Sequence, residues 1–176
     1  MSRKMPAQRP HRSEQAVGTP PEFLRAVELR FGRIAWDLAA HSSNSVCDSR
    51  FYGPGSRWGL NTFERAWDRI PNVVTGHDLL WFNPEFGNMG PAARKVAGEA
   101  ERGARIALLA PLSAADWAIR YIWGRALVMP LFPRLTFVGH TAPFPKDLAL
   151  AVYAADETPR TEPWRWSQTP ATKEAA

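Results

Sequence analysis

Apolar residues recur at helical spacing in three parts of this chain, and each part predicts a helix. The first covers residues 20–32, where a Pro-Pro pair suits the opening turn and a glycine suits the end. The second covers residues 90–103. The third covers residues 113–123 and is predicted to begin at a capping pair, Ser113 with Asp116.

Shorter apolar runs without that spacing predict strands. The predicted strands are residues 33–37, 46–51, 78–82, 105–110, 126–129, 135–138 and 147–153. Between them, Asn61 is predicted to cap a short helix. Because strands alternate with helices, we predict an α/β fold with a mostly parallel sheet and helices on both faces.

The two ends of the chain lack this patterning. Residues 1–18 are polar and basic, and they predict a disordered arm. Residues 156–176 are rich in Thr, Pro, Glu and Trp, and they predict a flexible C-terminal tail. Residues 19–155 between them form one predicted domain, which is long enough to bury a core.

Composition narrows the partners and the compartment. The net charge of +5 favours a polyanionic partner such as DNA. The single cysteine, Cys47, excludes an internal disulfide framework and suits a reducing cytoplasm. No apolar run is long enough to cross a membrane, and no signal-peptide core is present, so we expect a cytoplasmic protein. Most of the eight tryptophans are predicted to lie in the core or the tail, although exposed ones would suit base stacking.

Several enzyme classes find no support in the sequence. The four histidines show no metal-ligand spacing, so with one cysteine we expect no metal site. No glycine-rich phosphate loop is present, which argues against a nucleotide triphosphatase. The serines lack the pattern of a nucleophile elbow.

The stretch from Asp78 to Gly87 carries the most chemistry. Its apolar half predicts a strand buried on both faces, and Asn83-Pro84 stops that strand before an aromatic residue, Phe86. Open α/β sheets bind ligands at the carboxyl ends of their strands. An amide, a rigid turn and an aromatic ring at that edge suit a flat, polar heteroaromatic substrate. Taken alone, Asn-Pro also fits an ordinary turn.

Asn83-Pro84-Glu85-Phe86 resembles the Asn/Asp-Pro-Pro-aromatic motif of amino-methyltransferases. More narrowly, the chain resembles the small phage-type DNA adenine-N6 methyltransferases (Dam-like) from Thr19 to about Tyr153. The other matching pieces are Thr19-Pro20, Trp36-Asp37-Leu38-Ala39-Ala40 with Asn44 and Cys47 behind it, Gly59-Leu60 before Trp67, Leu108-Leu109-Ala110-Pro111 with Trp117, and Arg134-Leu135-Thr136-Phe137. The resemblance implies a Rossmann-like class I methyltransferase fold acting on double-stranded DNA in a host bacterial cytoplasm.

The resemblance also implies the catalytic residues. The Asn83 side-chain oxygen and the Pro84 carbonyl would accept the two hydrogens of an adenine amine, because both atoms are acceptors. Phe86 would stack on the ring, a contact worth roughly 1–3 kcal/mol. A target inside a duplex would have to be flipped out to reach these groups.

S-adenosylmethionine is the implied cofactor. Asp37, at the end of the first strand, would accept from its amino group, and Asn44 would be a polar neighbour. Ala39 and Ala40 replace the usual glycine-rich turn with small residues that still allow close approach. Thr19 and Pro20 match the segment that covers the cofactor in this family; a strand-end aspartate solvated at a turn is the alternative for Asp37.

One position departs from the motif, because Glu85 stands where the family has its second proline. Its carboxylate would attract a sulfonium, remove a proton or, as we favour, point into water; it also fits a weakened catalyst. Three alternatives therefore stay open: a DNA-binding module that has lost catalysis, methylation of cytosine or protein glutamine, and an unrelated α/β enzyme. DNA contacts are expected from residues 52–60, residues 139–146 and the basic arm, with phosphate-contact candidates Arg50, Arg57, Arg134 and Lys146.

Overall fold

The computed structural model describes residues 17–70, 73 and 77–168, and this part of the chain confirms an α/β fold. Its helices are α1 (Pro21–Phe31), α2 (Met89–Glu101) and α3 (Asp116–Tyr121). Its strands are β1 (Ile34–Asp37), β2 (Leu79–Phe82), β3 (Arg105–Pro111), β4 (Leu127–Phe132), β5 (Leu148–Tyr153), β6 (Arg160–Thr161) and β7 (Trp164–Arg165). Single 3-10 turns, including Thr62–Glu64 and Phe86–Asn88, complete the regular structure.

The strands form one mixed sheet in the order β1-β2-β3-β5-β4-β6, with β7 also beside β4. β1, β2 and β3 are parallel neighbours, as predicted. β5 lies antiparallel between β3 and β4, however, so the sheet is less uniformly parallel than the alternation of elements indicated. The parallel half places the carboxyl ends of β1 and β2 at one edge.

Helices cover both faces of the sheet, as predicted. Leu79 and Trp81 belong to the hydrophobic cluster that includes the buried face of α1. Leu80 and Phe82 belong to the opposite cluster, which includes the buried face of α2. Since successive side chains of a strand point to opposite faces, an unbroken apolar run is what a doubly covered strand requires.

Two predicted strands do not form. Residues 46–51 make a turn, in which Arg50 N donates to the Cys47 carbonyl at 2.8 Å, because Asp48 adopts a positive φ of 46° that a strand does not allow. Residues 135–138 are also irregular, and Val138 N donates to the Gly18 carbonyl at 2.9 Å. Leu135 is fully buried, so core packing rather than strand pairing explains the apolar pattern there.

The predicted capping pair of the third helix is also wrong. Ser113 Oγ accepts from Ala115 N at 3.0 Å, outside α3, while Asp116 bonds Arg120 at 2.7 Å on the helix surface. Ala115 occupies the N-cap position without a side-chain cap. By contrast, the prediction for Asn61 is confirmed on a smaller scale: its Oδ1 accepts from Phe63 N at 3.0 Å and caps a single 3-10 turn.

The C-terminal segment is not the unpaired tail that its composition suggested, at least as far as residue 168. β6 and β7 both pair in parallel with β4. Trp166 is buried, its ring lies 5.3 Å from that of Phe23, and its indole nitrogen donates to the Pro133 carbonyl at 2.7 Å. Trp164 and Trp166, both buried, thus supply the apolar area that holds this polar segment to the sheet. The predicted arm up to residue 16 and the last eight residues lie outside the described part.

Tryptophan burial follows the prediction that most of these residues serve the core. Those at 36, 67, 81, 164 and 166 are buried, and those at 58, 117 and 123 are half-buried.

No helix within residues 17–70 and 77–168 is long and apolar enough to cross a membrane. In the same ranges, no three His, Cys, Asp or Glu residues group as a metal site would require.

A buried carboxylate ties α2 to the loop before β2. Glu99 is fully buried and accepts from Trp67 N at 3.0 Å, while Lys95 Nζ and Arg102 Nη2 lie 2.5 and 2.6 Å from its Oε1. Burial raises the pKa of Glu99, but the hydrogen bonds from Lys95, Arg102 and Trp67 outweigh it and leave the pKa below its ordinary value.

We expect Glu99→Gln to lower the free energy of unfolding by about 1–3 kcal/mol at pH 7, because two cations and an amide lose their charged partner. A lowered folded pKa stabilises above the unfolded value of 4.5, so the difference from wild type should shrink as pH falls below 4.5. Urea unfolding measures both effects. Glu101→Gln, at an exposed position of the same helix, is the matched control; an equal loss in both variants would contradict the role given to Glu99.

Candidate functional site

A cavity of about 1250 Å³ opens at the carboxyl ends of β1 and β2. The two strands are adjacent and parallel, with Asp37 in register with Trp81, so the loops that follow them leave the sheet together. Ligand pockets for drug-sized molecules measure roughly 300–1,000 Å³, so the volume admits a cofactor and part of a substrate. The lining residues lie within residues 17–19, 37–46, 52–54, 60–63, 81–88 and 137–145.

Asn83 and Pro84 line this cavity directly after the end of strand β2. Asn83 is half-buried, and its amide nitrogen donates to Thr19 Oγ1 at 3.3 Å. Because the amide nitrogen faces Thr19, the amide oxygen points away from Thr19, where it can act as an acceptor. Pro84 is buried, and its ring fixes the backbone φ, which keeps the turn rigid.

The ring of Phe86 is half-buried and braced from one side. Its centroid lies 5.4 Å from that of Phe144 in an edge-to-face arrangement at 74°, and Phe144 in turn lies 5.6 Å from Phe137 at 90°. All three rings line the cavity. Edge-to-face pairs contribute roughly 0.5–1.5 kcal/mol beyond burial, so this chain of rings fixes the orientation of Phe86.

Asp37 lines the cavity from the end of β1 with a side chain that is only 3% exposed. Its two oxygens accept from Ala39 N at 3.2 Å and from Val46 N at 3.1 Å. Burial raises the pKa of Asp37 to about 6, and the two backbone hydrogen bonds oppose that rise without cancelling it. A buried carboxylate with no counter-charge of its own in this network is suited to a cationic ligand group.

The turn after Asp37 is built from small residues, as predicted. Ala39 and Ala40 are half-buried and both line the cavity. The backbone of Gly53, a glycine for which the sequence predicted no role, packs closely against this turn. A Cβ added to Gly53, whose φ is 141°, would lie 1.8 Å from the Ala40 carbonyl oxygen. Asn44 also lines the cavity, and its Oδ1 accepts from His41 N at 2.7 Å, which closes the turn.

Thr19 and Pro20 have different roles in the structure. Thr19 is buried, lines the cavity and bonds Asn83, so it orients the amide as well as bordering the pocket. Pro20 does not line the cavity. Its carbonyl accepts from Phe23 N and Leu24 N at the start of α1. Pro20 therefore serves the start of helix α1, and its contact with a cofactor stays a prediction.

Glu85 is exposed and lines the cavity. Its carbonyl accepts from Asn88 N at 2.9 Å, within the turn that leads into α2. The departure from the motif is thus accommodated without burying a charge, which agrees with the preferred interpretation of a side chain that points into water.

Several lining residues were missed as parts of a ligand site. Thr62 and Phe63 had no predicted ligand role, and Tyr52 and His140 were predicted only as parts of loops that contact DNA. Asn61 also lines the cavity, although its sequence pattern indicated only a cap. Only the Gly-Pro-rich composition of the loops pointed toward them, because such segments often carry binding residues.

The candidate phosphate contacts differ in how far they are already paired. Arg134 is held by Asp147, with Nε and Oδ1 2.8 Å apart. Arg57 is exposed, and its guanidinium lies 4.8 Å from the centre of the Trp58 ring. Lys146 is exposed, and Arg50 is half-buried. Arg57 and Lys146 therefore remain the better candidates of the four.

No protein-family model, curated protein or solved structure matches this chain.

Proposed function

We propose that this chain is an S-adenosylmethionine-dependent DNA adenine-N6 methyltransferase that acts on a flipped adenine. One observation carries the proposal: the Asn83-Pro84-Phe86 turn and the Asp37 turn, which are 46 positions apart, line the same cavity. Methyl transfer to an aromatic amine needs an amine-binding group, an aromatic ring for stacking and a carboxylate that holds the cofactor.

The chemistry of the amine explains the first half of the site. The exocyclic nitrogen of adenine is a poor nucleophile because its lone pair is delocalised into the ring. Acceptance of its two hydrogens by the Asn83 oxygen and the Pro84 carbonyl would return the lone pair to nitrogen. The same two oxygens would stabilise positive charge that grows there. In the orientation that the structure has, the Asn83 amide nitrogen donates to Thr19 Oγ1, so the amide oxygen is the atom that would face the amine.

The second half of the site fits the cofactor. Bound S-adenosylmethionine would supply an electrophilic methyl group on a sulfonium. Asp37 would hold its ammonium group, and the buried position would strengthen that pairing. Ala39 and Ala40 leave room beside the carboxylate for the rest of the ligand, since neither side chain extends beyond Cβ.

The fold is compatible with the class I methyltransferase architecture. Parallel strands β1 and β2 place the two halves of the site on adjacent loops, as open α/β sheets place their ligand sites. The inserted strand β5 lies on the other side of β3, and the loop that leads into it contributes cavity-lining residues between 137 and 145. The remaining DNA contacts would come from the loops at residues 52–60 and 139–146, because both border the cavity mouth.

Methyl incorporation tests the proposal. Purified protein is incubated with S-adenosylmethionine carrying a labelled methyl group and unmethylated genomic DNA, and the DNA is digested to nucleosides for mass spectrometry. N6-methyladenine is the expected product. N4-methylcytosine would move the assignment to the cytosine alternative. Binding of S-adenosylmethionine without any methylated base would favour another amino acceptor, and absence of binding would contradict the enzyme.

A further inference from the structure

We propose that Leu60 is a wedge that enters the base stack of duplex DNA and fills the space left by the flipped base. The inference rests on the proposed function and adds a residue that opens the substrate. Leu60 lines the same cavity as Asn83, yet it is 74% exposed, the largest exposure among the big apolar side chains of the described residues. Phe63, which is 37% exposed, also lines this cavity, so the two side chains together present apolar surface that fits an apolar partner arriving with the ligand.

The backbone before Leu60 is held in place. Gly59 adopts a φ of 131°, which a side chain would strain, and its carbonyl accepts from Gly53 N at 3.0 Å. Gly53 is the residue packed against the Ala40 carbonyl beside Asp37. Leu60 is thus attached to the cofactor side of the cavity through two glycines.

The backbone after Leu60 is anchored to the core. Asn61 caps the turn that follows, and the indole nitrogen of Trp67 donates to both the carbonyl and the hydroxyl of Thr62 at 3.1 Å. Trp67 is fully buried, and its own amide is held by the buried Glu99. A side chain on a segment fixed at both ends can exert force on a partner without folding away, as a wedge must.

The surroundings favour a nucleic acid over an apolar protein surface. The Arg65 guanidinium lies against Gly59, 2.9 Å from where a Cβ would be. Arg57 and Arg69 are also exposed on residues 57–69, and Glu64, one of the two acidic residues there, is engaged by the Asn61 amide at 2.7 Å. Cations around one apolar tip suit phosphates that flank an opened base step, into which proteins insert Leu or Phe.

The experiment compares wild type with Leu60→Ser on two substrates. Both are oligonucleotide duplexes that carry an adenine found methylated in genomic DNA. In one duplex this adenine is paired, and in the other it faces a mismatched base, which lowers the cost of flipping. We expect Leu60→Ser to lose about 10–100-fold in methylation rate on the paired duplex, the effect of a flipping cost of a few kcal/mol. On the mismatched duplex the loss should fall to about twofold or less.

Matched variants separate a wedge from general damage. Leu60→Met keeps an apolar tip and should retain the paired-duplex rate, whereas Ile119→Ser removes an exposed apolar group from α3, away from the cavity, and should leave both rates unchanged. Equal losses of Leu60→Ser on both duplexes, or no loss on either, would overturn the proposal. Wild-type protein that methylates no DNA would contradict the proposed function itself, and that result is distinguishable because it does not involve the variant.

Discussion

Asn83→Ala is expected to lower the rate of methyl transfer to DNA by about 10²–10³-fold, the cost of removing one preorganised acceptor from a reacting centre. The Pro84 carbonyl alone would hold only one hydrogen of the amine, so the lone pair would stay delocalised. Cofactor affinity should remain within about twofold, because Asp37 lies on a different strand and its hydrogen bonds do not involve Asn83.

The measurement combines single-turnover methylation of DNA with a titration of S-adenosylmethionine. Gln168→Ala is the control: it removes an amide from an exposed side chain that does not line the cavity, and it should leave the rate unchanged. Thr19→Val offers a graded case, since it removes the hydroxyl that orients the Asn83 amide and should lower the rate by a smaller factor. Undiminished transfer by Asn83→Ala would remove this residue from the mechanism.

The centre of the site could be predicted from sequence because its two turns follow short buried strands. An apolar run that stops at Asn-Pro indicates both the strand and its end, and β2 indeed ends at Phe82. Likewise, Asp37 is the last residue of β1. The local patterns predicted the two strands, and the family resemblance assigned both turns to one site; adjacent parallel strands explain why their carboxyl ends meet.

The supporting contacts could not be predicted in this way, because they join distant parts of the chain. Thr19 and Asn83 are 64 positions apart, and Glu99 is 32 positions from Trp67. Composition was also misleading where a few large side chains outweighed a polar background: Trp164 and Trp166 hold a segment that otherwise resembles a tail. At residues 135–138, the apolar run reflected burial rather than strand pairing, because Leu135 and Phe137 pack in the core.

Binding of S-adenosylmethionine is expected to weaken about tenfold for each pH unit below 6, because protonated Asp37 cannot pair with an ammonium group. The stability of the free protein should respond in the opposite sense. The carboxyl titrates near 3.8 in the unfolded chain and near 6 when buried, so between these values only the folded state keeps the proton. Stability contributed by this group therefore falls as pH rises from about 4 to about 6 and is constant above that range.

Asp37→Asn should abolish both dependences and most of the cofactor affinity. With ligand at about a hundred times its Kd, wild type gains about 2.7 kcal/mol of stability. For a chain of this size, that gain corresponds to a rise in Tm of roughly 5–10 °C. The variant should show no measurable rise. Asp48→Asn removes an exposed carboxyl from the same loop and should behave as wild type.

Calorimetric titrations at pH 5, 6, 7 and 8, in buffers of different ionisation enthalpy, provide the decisive measurement. Near pH 6 the free protein is a mixture of protonated and ionised Asp37, and a cationic ligand selects the ionised form, so binding should release protons there and release none at pH 8. A Kd that stays constant from pH 5 to pH 8, with no proton release, would show that the ammonium group is held by something other than Asp37.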